Sequence, residues 1–492
     1  MTDSLTPGEY RDLLSRALEG TVDADTRPPE PHTLYMPDAH RTALYVDSTV
    51  VQGDRGVGKT FWARSLLDPE LREAAAREYR INRLNRLRVT SGYGMDIVPH
   101  YPGPLALPSL LAGGALPEEI WQAVLLTALG QPELRATANW AERVAWLRAN
   151  AGPAEATLAQ ADAEAAAEDT VHLLVFDGLE HLHSGWDTRN RLIAELLRLA
   201  MRMRFGTRNI RLKVFLRPDM FDAAKQLFPD ASKLSGNAAR LEWTRADLYG
   251  LLFHHLGNED DEAAERFRRF TGGWQPSAPG TPVRYAPAPD LRNDEKVQQQ
   301  LFERIADPFM GTNVRQGRPY SWLPNHLMDS NGRISPRSFL KALEVAAGTT
   351  SASHDRALHH DAIRSGVREA SAVRVDQICE DTPWVELAIK PLAGCQVPLA
   401  QGKIIGIWQD RDLPRLLRED TARYEQPERP ELVRTGPRHP DDLHRLVQEL
   451  IELGVLRRRD QSVDDFSLLD LPDIYRLAFG LGRLGGIPLA GR

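Results

Sequence analysis

Eight consecutive residues, 53 to 60, combine three glycines with a lysine and a side-chain hydroxyl. They are Gly53, Asp54, Arg55, Gly56, Val57, Gly58, Lys59 and Thr60, with the spacing G-x-x-x-x-G-K-[ST]. A triphosphate needs several backbone N–H groups directed at one place, and a glycine-rich loop at a helix N-terminus supplies them. The lysine of such a loop faces the β- and γ-phosphates, and the hydroxyl is a ligand for Mg²⁺. The spacing therefore predicts that these residues, with Phe61 after them, bind ATP and Mg²⁺.

Two carboxylates follow an apolar run later in the chain. Residues 171–176 have the composition of a central parallel strand, and Asp177 and Glu180 come after it. Ligands of open α/β sheets bind at the carboxyl ends of the strands, so both side chains are predicted to lie beside the glycine-rich loop. Asp177 would hold Mg²⁺ with Thr60, and Glu180 would orient or activate the attacking water. The alternative for Glu180 is a carboxylate that caps the next helix or faces solvent.

Arg217 is a further candidate for contact with the phosphates. It follows the apolar run 210–216, which places it at the same edge of the predicted sheet. There it could sense a γ-phosphate. The alternative is an ion pair between Arg217 and either Asp219 or Asp222.

The first half of the chain alternates strand and helix patterns. Residues 49–51, 86–90 and 240–243 join the runs already described as candidate strands. Apolar residues at helical spacing between 192 and 203 predict a helix that covers the sheet. This alternation predicts an α/β fold, a P-loop NTPase with a doubly wound parallel sheet.

The sequence suggests five parts. Residues 1–30 are predicted to form an N-terminal arm or a loosely attached terminus, and residues 31–258 the P-loop ATPase core. Residues 259–330 are predicted to be a proline-rich insertion, because prolines and glycines interrupt regular patterns there. A helical lid over 331–372 and a winged-helix domain over 373–492 complete the predicted order.

Two basic features belong to these C-terminal parts. Arg337 lies in the first turn of a predicted lid helix that begins at Ser335, so it could contact the phosphates; a solvated arginine is the alternative. Arg457, Arg458 and Arg459 follow an amphipathic helix and would lie on or near the wing. They could contact nucleic-acid phosphates, or the module could instead pack on its own ATPase domain or on a partner.

Composition limits the classes of function. The 492 residues carry a net charge of −7, which argues against a globally basic nucleic-acid binder. Cys379 and Cys395 are the only cysteines and no C-x-x-C spacing occurs, which disfavours a disulfide framework. His181 and His183 are two positions apart and would not share a helix face, so no metal site is predicted there. Without a signal-peptide pattern or a run of about 20 apolar residues, we expect a cytoplasmic protein without a membrane partner.

The motifs together resemble the STAND and AAA+ branches of the P-loop ATPases. The run Asp177-Gly178-Leu179-Glu180 is similar to the Walker B motif of NACHT-type modules. Arg217 follows its strand where STAND proteins carry a sensor arginine, and Arg337 resembles an arginine of the AAA+ sensor 2 region. The resemblance implies slow, regulated ATP hydrolysis, self-association around nucleotide and signalling roles that in bacteria include antiviral defence against phage.

The predicted function is an ATP-dependent molecular switch that binds ATP and ADP. It would control its own assembly or a separate effector protein. An initiator-like AAA+ ATPase that binds DNA through its winged helix is the alternative from another class, and it is not favoured because of the negative charge. A nucleotide-bound scaffold that does not hydrolyse ATP is the third candidate.

Overall fold

The computed structural model describes residues 4–20, 28–183, 185–277, 284–424, 436–459 and 465–484. Contacts divide these residues into two compact units. The sheet unit contains residues 38–242, and the helical unit contains the described residues of 1–37, 243–424 and 435–492. These boundaries differ from those suggested after residues 30 and 258, and the finer division into five parts stays a prediction.

The sheet unit is built on parallel strands in the order β2-β3-β4-β1-β5. The strands are β1 Val50–Gln52, β2 Leu87–Tyr93, β3 Val171–Phe176, β4 Ile210–Leu216 and β5 Ala239–Arg240. Strands β3 and β4 are mostly apolar and almost entirely buried, as expected for central strands that are covered on both faces. The α/β fold class with a doubly wound parallel sheet is therefore confirmed.

Helices of the sheet unit pack on this sheet or on one another. They are Lys59–Leu67, Pro69–Tyr79, Ala106–Ala112, Pro117–Leu129, Pro132–Ala136, Trp140–Ala149, Ala151–Ala167, Trp186–Gly206, Pro218–Ala224 and Ser232–Ser235. Trp121 is fully buried and packs edge-on against Phe176 of β3, with 5.8 Å between ring centres. Its indole N–H donates a hydrogen bond to the Leu192 carbonyl at 2.8 Å, which ties two of these helices together above the sheet.

The strand order determines which loops start at the same edge of the sheet. Strand β4 lies between β1 and β3, and its register pairs Leu216 with Gln52 of β1. The segments after these strands begin at residues 53, 177 and 217. They start side by side because carboxyl ends of parallel strands meet at one edge.

The helical unit has one apolar core, to which the N-terminal helix belongs. Its helices are Pro7–Leu18, Arg245–Gly257, Glu262–Thr271, Pro289–Asn293, Glu295–Ile305, Pro319–Leu327, Pro336–Thr349, His360–Asp381, Trp384–Ile389, Gln401–Asp410, Leu413–Tyr424, Leu443–Glu452 and Asp473–Arg476. Tyr10 is only 2% exposed and its ring meets Phe267 edge-on at 6.4 Å. The N-terminal helix is thus an integral part of this unit; residues 21–27 of the predicted arm lie outside the described residues.

Segment 259–330 is more regular than its proline content suggested. Four of the helices given above lie in it, and Phe267, Phe302 and Leu323 are buried in the core. The short strands Gln275–Pro276 and Tyr285–Ala286 pair antiparallel on either side of residues 278–283, which lie outside the described part of the chain. Apolar side chains at helical spacing outweigh the local effect of the prolines here.

Small sheets complete the C-terminal part of the helical unit. The strands Leu399–Ala400, Arg457–Arg458 and Leu468–Asp470 form an antiparallel sheet, with Leu468–Asp470 in the centre. Gln396–Val397 pairs with Gly482–Arg483. The predicted tip of the wing includes residues 460–464, of which the structure describes none. Among the helices that are described, none combines the length and the apolar run needed to cross a bilayer.

Candidate nucleotide site

The loop that follows β1 leads directly into the N-terminus of the helix Lys59–Leu67. Gly58 is the N-cap of this helix and has a φ of 101°, in the left-handed region that favours glycine. A Cβ atom on Gly53 would lie 2.6 Å from Cγ2 of Val57, so a larger residue there would displace the loop. The sequence motif therefore forms a loop at a helix N-terminus, where N–H groups and the helix dipole favour an anion.

Lys59 is the first residue of this helix, and only 7% of its surface is exposed. Its ammonium donates hydrogen bonds to the carbonyl oxygens of Gly53 and Asp54, at 2.9 and 3.0 Å. Both carbonyls belong to the loop, so the positive charge is held against the loop and is not extended into solvent. A phosphate bound by the loop would meet this charge directly.

Asp177 lies at the carboxyl end of β3 and is 8% exposed. Its carboxylate accepts a hydrogen bond from the Thr60 hydroxyl. Burial and the neighbouring charge of Glu180 raise the pKa of Asp177 to about 6. A buried carboxylate of this kind is stabilised by a cation, and the oxygen atoms of Asp177 and Thr60 are the donors that Mg²⁺ prefers. The residues present therefore fit a Mg²⁺ ion.

Glu180 lies in a short 3₁₀ helix, Leu179–His181, and is partly buried. Burial acts to raise its pKa, but the charge of Lys59, a hydrogen bond from its own backbone N–H and smaller contributions from His181 and Arg217 together outweigh burial and lower the pKa. Glu180 is therefore ionised at neutral pH, the state in which a carboxylate can accept a proton from water. The next helix, Trp186–Gly206, begins beyond Glu180, so this carboxylate does not cap it.

Arg217 follows β4 at the same edge of the sheet and is 16% exposed. Its guanidinium donates hydrogen bonds to both carboxylate oxygens of Asp219, at 3.0 and 2.9 Å. This is one of the ion pairs that the sequence left open. The charge of Arg217 also acts on Glu180, so the arginine lies near the other predicted site residues.

Arg337 belongs to the helical unit. It is the second residue of the helix Pro336–Thr349, and Ser335 is the N-cap, as the sequence predicted. The Ser335 side chain makes no capping hydrogen bond, and Arg337 is partly buried. Its contact with nucleotide stays a prediction.

Tyr93 is a residue of this edge that sequence analysis did not single out. Strand β2 extends to Tyr93, beyond the predicted strand 86–90. The prediction ends too early because the apolar pattern weakens before the strand does. Burial, Tyr101 and the charge of Glu180 raise the pKa of the Tyr93 hydroxyl, so it stays neutral beside the carboxylate. Its position at a strand's carboxyl end was the available signal.

Comparison with known proteins gives little beyond this geometry. No protein-family model matches the chain, and no curated protein matches its sequence. One solved structure to which it is similar is the "Structure of the Aeropyrum Pernix ORC2 protein (ADPNP-ADP complexes)". The TM-score is 0.40 and the identity 15%, over 94% of this chain and 96% of that chain. A likeness this distant leaves the arrangement of the site itself as the basis for a function.

Proposed function

We propose that this protein is an ATP-binding and ATP-hydrolysing molecular switch of the STAND/AAA+ type. The observation that carries the proposal is that the Asp177 carboxylate accepts from Thr60 while Asp177 and Glu180 both lie near the charge of Lys59. Two carboxylates would weaken a loop that only held phosphate, because negative charges repel the anion. They are useful when a cation lies between carboxylate and phosphate, or when a carboxylate binds a water molecule. Carboxylates beside a P-loop suit the binding of a metal–triphosphate and its hydrolysis.

Each residue has a definite part in this scheme. The backbone N–H groups of the loop bind the phosphates, and Lys59 opposes the charge of the β- and γ-phosphates. Thr60 and Asp177 would hold Mg²⁺, which neutralises charge that develops on the phosphate oxygens. Glu180 accepts a proton from the water that attacks the γ-phosphorus, and Arg217 turns from Asp219 toward the γ-phosphate.

The switch itself rests on a difference between the ATP and ADP states. A ligand shifts a conformational equilibrium only by its differential affinity for the two conformations. We propose that ATP favours a conformation that assembles or binds an effector protein, and that hydrolysis resets it. The test is the size of the protein in solution with a non-hydrolysable ATP analogue and with ADP. The same size in both states would argue for the scaffold that does not switch.

We propose that the C-terminal helices and three-stranded sheet are a winged helix that contacts protein. Arg457 and Arg459 both approach the buried carboxylate of Asp470, at 3.8 and 3.3 Å, and Arg458 donates to Gln401 at 2.9 Å. Arginines engaged inside their own module are less able to neutralise DNA phosphates. Repeating the size measurement with duplex DNA tests the alternative of a DNA-binding ATPase. DNA binding would increase the measured size, and the affinity would fall steeply with salt concentration.

Replacing Arg217 with alanine tests the γ-phosphate sensor. We expect Arg217→Ala to leave ADP affinity within about twofold, and to weaken affinity for an ATP analogue by about 1.5–3 kcal/mol, or about 10- to 150-fold. The physical reason is that only ATP carries the phosphate that Arg217 would contact. Titration calorimetry with both nucleotides measures the difference, with Arg198→Ala, a surface arginine paired with Glu195, as the matched control. If affinity for ATP and for ADP fell equally, Arg217 would have only a structural role, as the partner of Asp219.

The raised pKa of Asp177 predicts how Mg²⁺ dependence changes with pH. Above about pH 6 the carboxylate is ionised and binds the cation, and below it the proton competes. We expect the gain in nucleotide affinity from Mg²⁺ to fall about tenfold between pH 7 and pH 5. Because phosphate groups also titrate near pH 6, Asp177→Asn is the reference: its gain should be small at both pH values. The same pH dependence in both proteins would contradict the assignment.

A further inference from the structure

Three histidines surround one carboxylate in the helical unit. Nε2 of His354 lies 2.7 Å from Oδ1 of Asp307, and Nδ1 of His360 lies 2.8 Å from Oδ2. Nε2 of His359 lies 3.9 Å from the same Oδ2, beyond hydrogen-bond distance. The rings are close as well, with 4.5 Å between the centres of His354 and His359 and 4.1 Å between His359 and His360.

We propose that Asp307, His354 and His359 form a binding site for a divalent transition-metal ion such as Zn²⁺. One donor atom from each lies within 4.8 Å of the others. With metal–ligand distances of about 2.0–2.1 Å, two ligands of a tetrahedral ion are roughly 3.3 Å apart. The three residues therefore need only small movements to share an ion. Imidazole donors favour Zn²⁺ and its neighbours over Mg²⁺ or Ca²⁺, which prefer oxygen donors alone.

His360 supports the carboxylate. Its ring and its backbone N–H both engage Oδ2 of Asp307, at 2.8 and 2.9 Å, which leaves Oδ1 on the side of His354. Protein metal sites commonly hold a ligand's remaining atom in this way, because it fixes the orientation of the ligand. In a neutral imidazole only one ring nitrogen has a free lone pair, so His359 can bind an ion through Nε2 only when Nδ1 carries the proton. Metal binding would therefore end the weak 3.3 Å contact in which Nδ1 accepts from the Asp361 N–H.

The backbone holds these residues in a fixed frame. Asp307 follows the helix Glu295–Ile305, and its N–H donates to the Leu358 carbonyl at 3.0 Å, while the Leu358 N–H donates to Ile305 at 3.0 Å. Leu358 is fully buried. His359 is the N-cap of the helix that His360 begins. Two chain segments far apart in sequence therefore present their ligands from a packed core.

The imidazoles are reachable from solvent. The side chains of His354, His359 and His360 are 28%, 31% and 21% exposed, and that of Asp307 is 12% exposed. An ion can therefore enter without opening the core. Once bound, it would join the end of one helix to the start of another, so it should stabilise the folded state by an amount that grows with the logarithm of its affinity.

The test is titration of the full-length protein with Zn²⁺ alone, in competition with a chromogenic chelator and without nucleotide. We expect one equivalent of Zn²⁺ to bind and to raise the melting temperature, while Mg²⁺ does not replace it. The double variant His354→Ala with His359→Ala should lose this equivalent. His360→Ala should weaken binding about 10- to 100-fold, because it removes only support for a ligand. His444→Ala, whose exposed ring contacts Asp465, is the matched control and should bind as the parent does.

Each result decides the proposal. A parent protein that binds no equivalent of Zn²⁺, or a double variant that keeps it, would overturn the site. Circular dichroism checks that the variants are folded. If the double variant is unfolded, His359→Gln, at the most exposed of these rings, gives the same comparison. Because nucleotide is absent throughout, the outcome is independent of the proposed ATPase site.

Discussion

Replacing Lys59 with alanine is expected to abolish tight nucleotide binding. The change removes the ammonium that lies inside the loop and that would oppose the β- and γ-phosphates. Losing one partner of a buried, hydrogen-bonded charge pair costs about 2–5 kcal/mol, which corresponds to roughly a 30-fold or greater loss of affinity. Titration calorimetry with an ATP analogue and with ADP measures the loss, and both nucleotides should be affected since both carry the β-phosphate.

The control must separate the loss of the ammonium from the loss of the side chain that fills the loop. Lys59 also holds the carbonyls of Gly53 and Asp54, so its loss could alter the loop before any nucleotide binds. Lys59→Met keeps the length of the side chain and removes the ammonium with its charge and donors, and Lys225→Ala removes a surface lysine that is paired with Asp222. We expect Lys59→Met to bind as weakly as the alanine variant and Lys225→Ala to bind normally. An alanine variant with parental affinity would mean that the loop is not the phosphate site.

The sheet and much of the candidate site could be predicted because the signals are local. The loop motif spans eight residues, and Asp177 directly follows its apolar strand. Strand, loop and helix then follow from spacing alone, and the strand order brings the carboxyl ends of β1, β3 and β4 to one edge. The pairing of Arg217 with Asp219 needed side-chain geometry, since Asp219 and Asp222 are both close enough in sequence to pair with it.

The histidine cluster was missed for a different reason. Asp307 and His354 are separated by 47 positions, and sequence patterns of this kind indicate a metal site only when the ligands recur at short spacing. The available signal was His354 followed by His359 and His360. Segment 259–330 was likewise judged by its prolines, although Phe267 and Phe302 on its helices contribute to the core. Tertiary packing outweighs local composition in both places.

Replacing Glu180 with glutamine is expected to keep nucleotide binding and to slow hydrolysis about 10²- to 10⁴-fold, the usual loss for a positioned base. Glutamine has nearly the same shape but cannot take the proton from the attacking water. The change also removes a negative charge that raises the pKa of Asp177. Asp177 should then ionise more readily, so affinity for the Mg²⁺–ATP analogue should stay equal or increase while turnover falls.

This opposite movement of affinity and rate distinguishes Glu180 from a residue that merely supports the fold. A structural carboxylate would lower binding and turnover together as the site loosened. The control is Glu118→Gln, a surface carboxylate of the same unit that is paired with Arg202 at 2.7 Å, and its turnover should match the parent. Phosphate release and calorimetric affinity are measured on the same preparations. Unchanged hydrolysis in Glu180→Gln would assign the base to another group, and no hydrolysis by the parent itself would favour the nucleotide-bound scaffold.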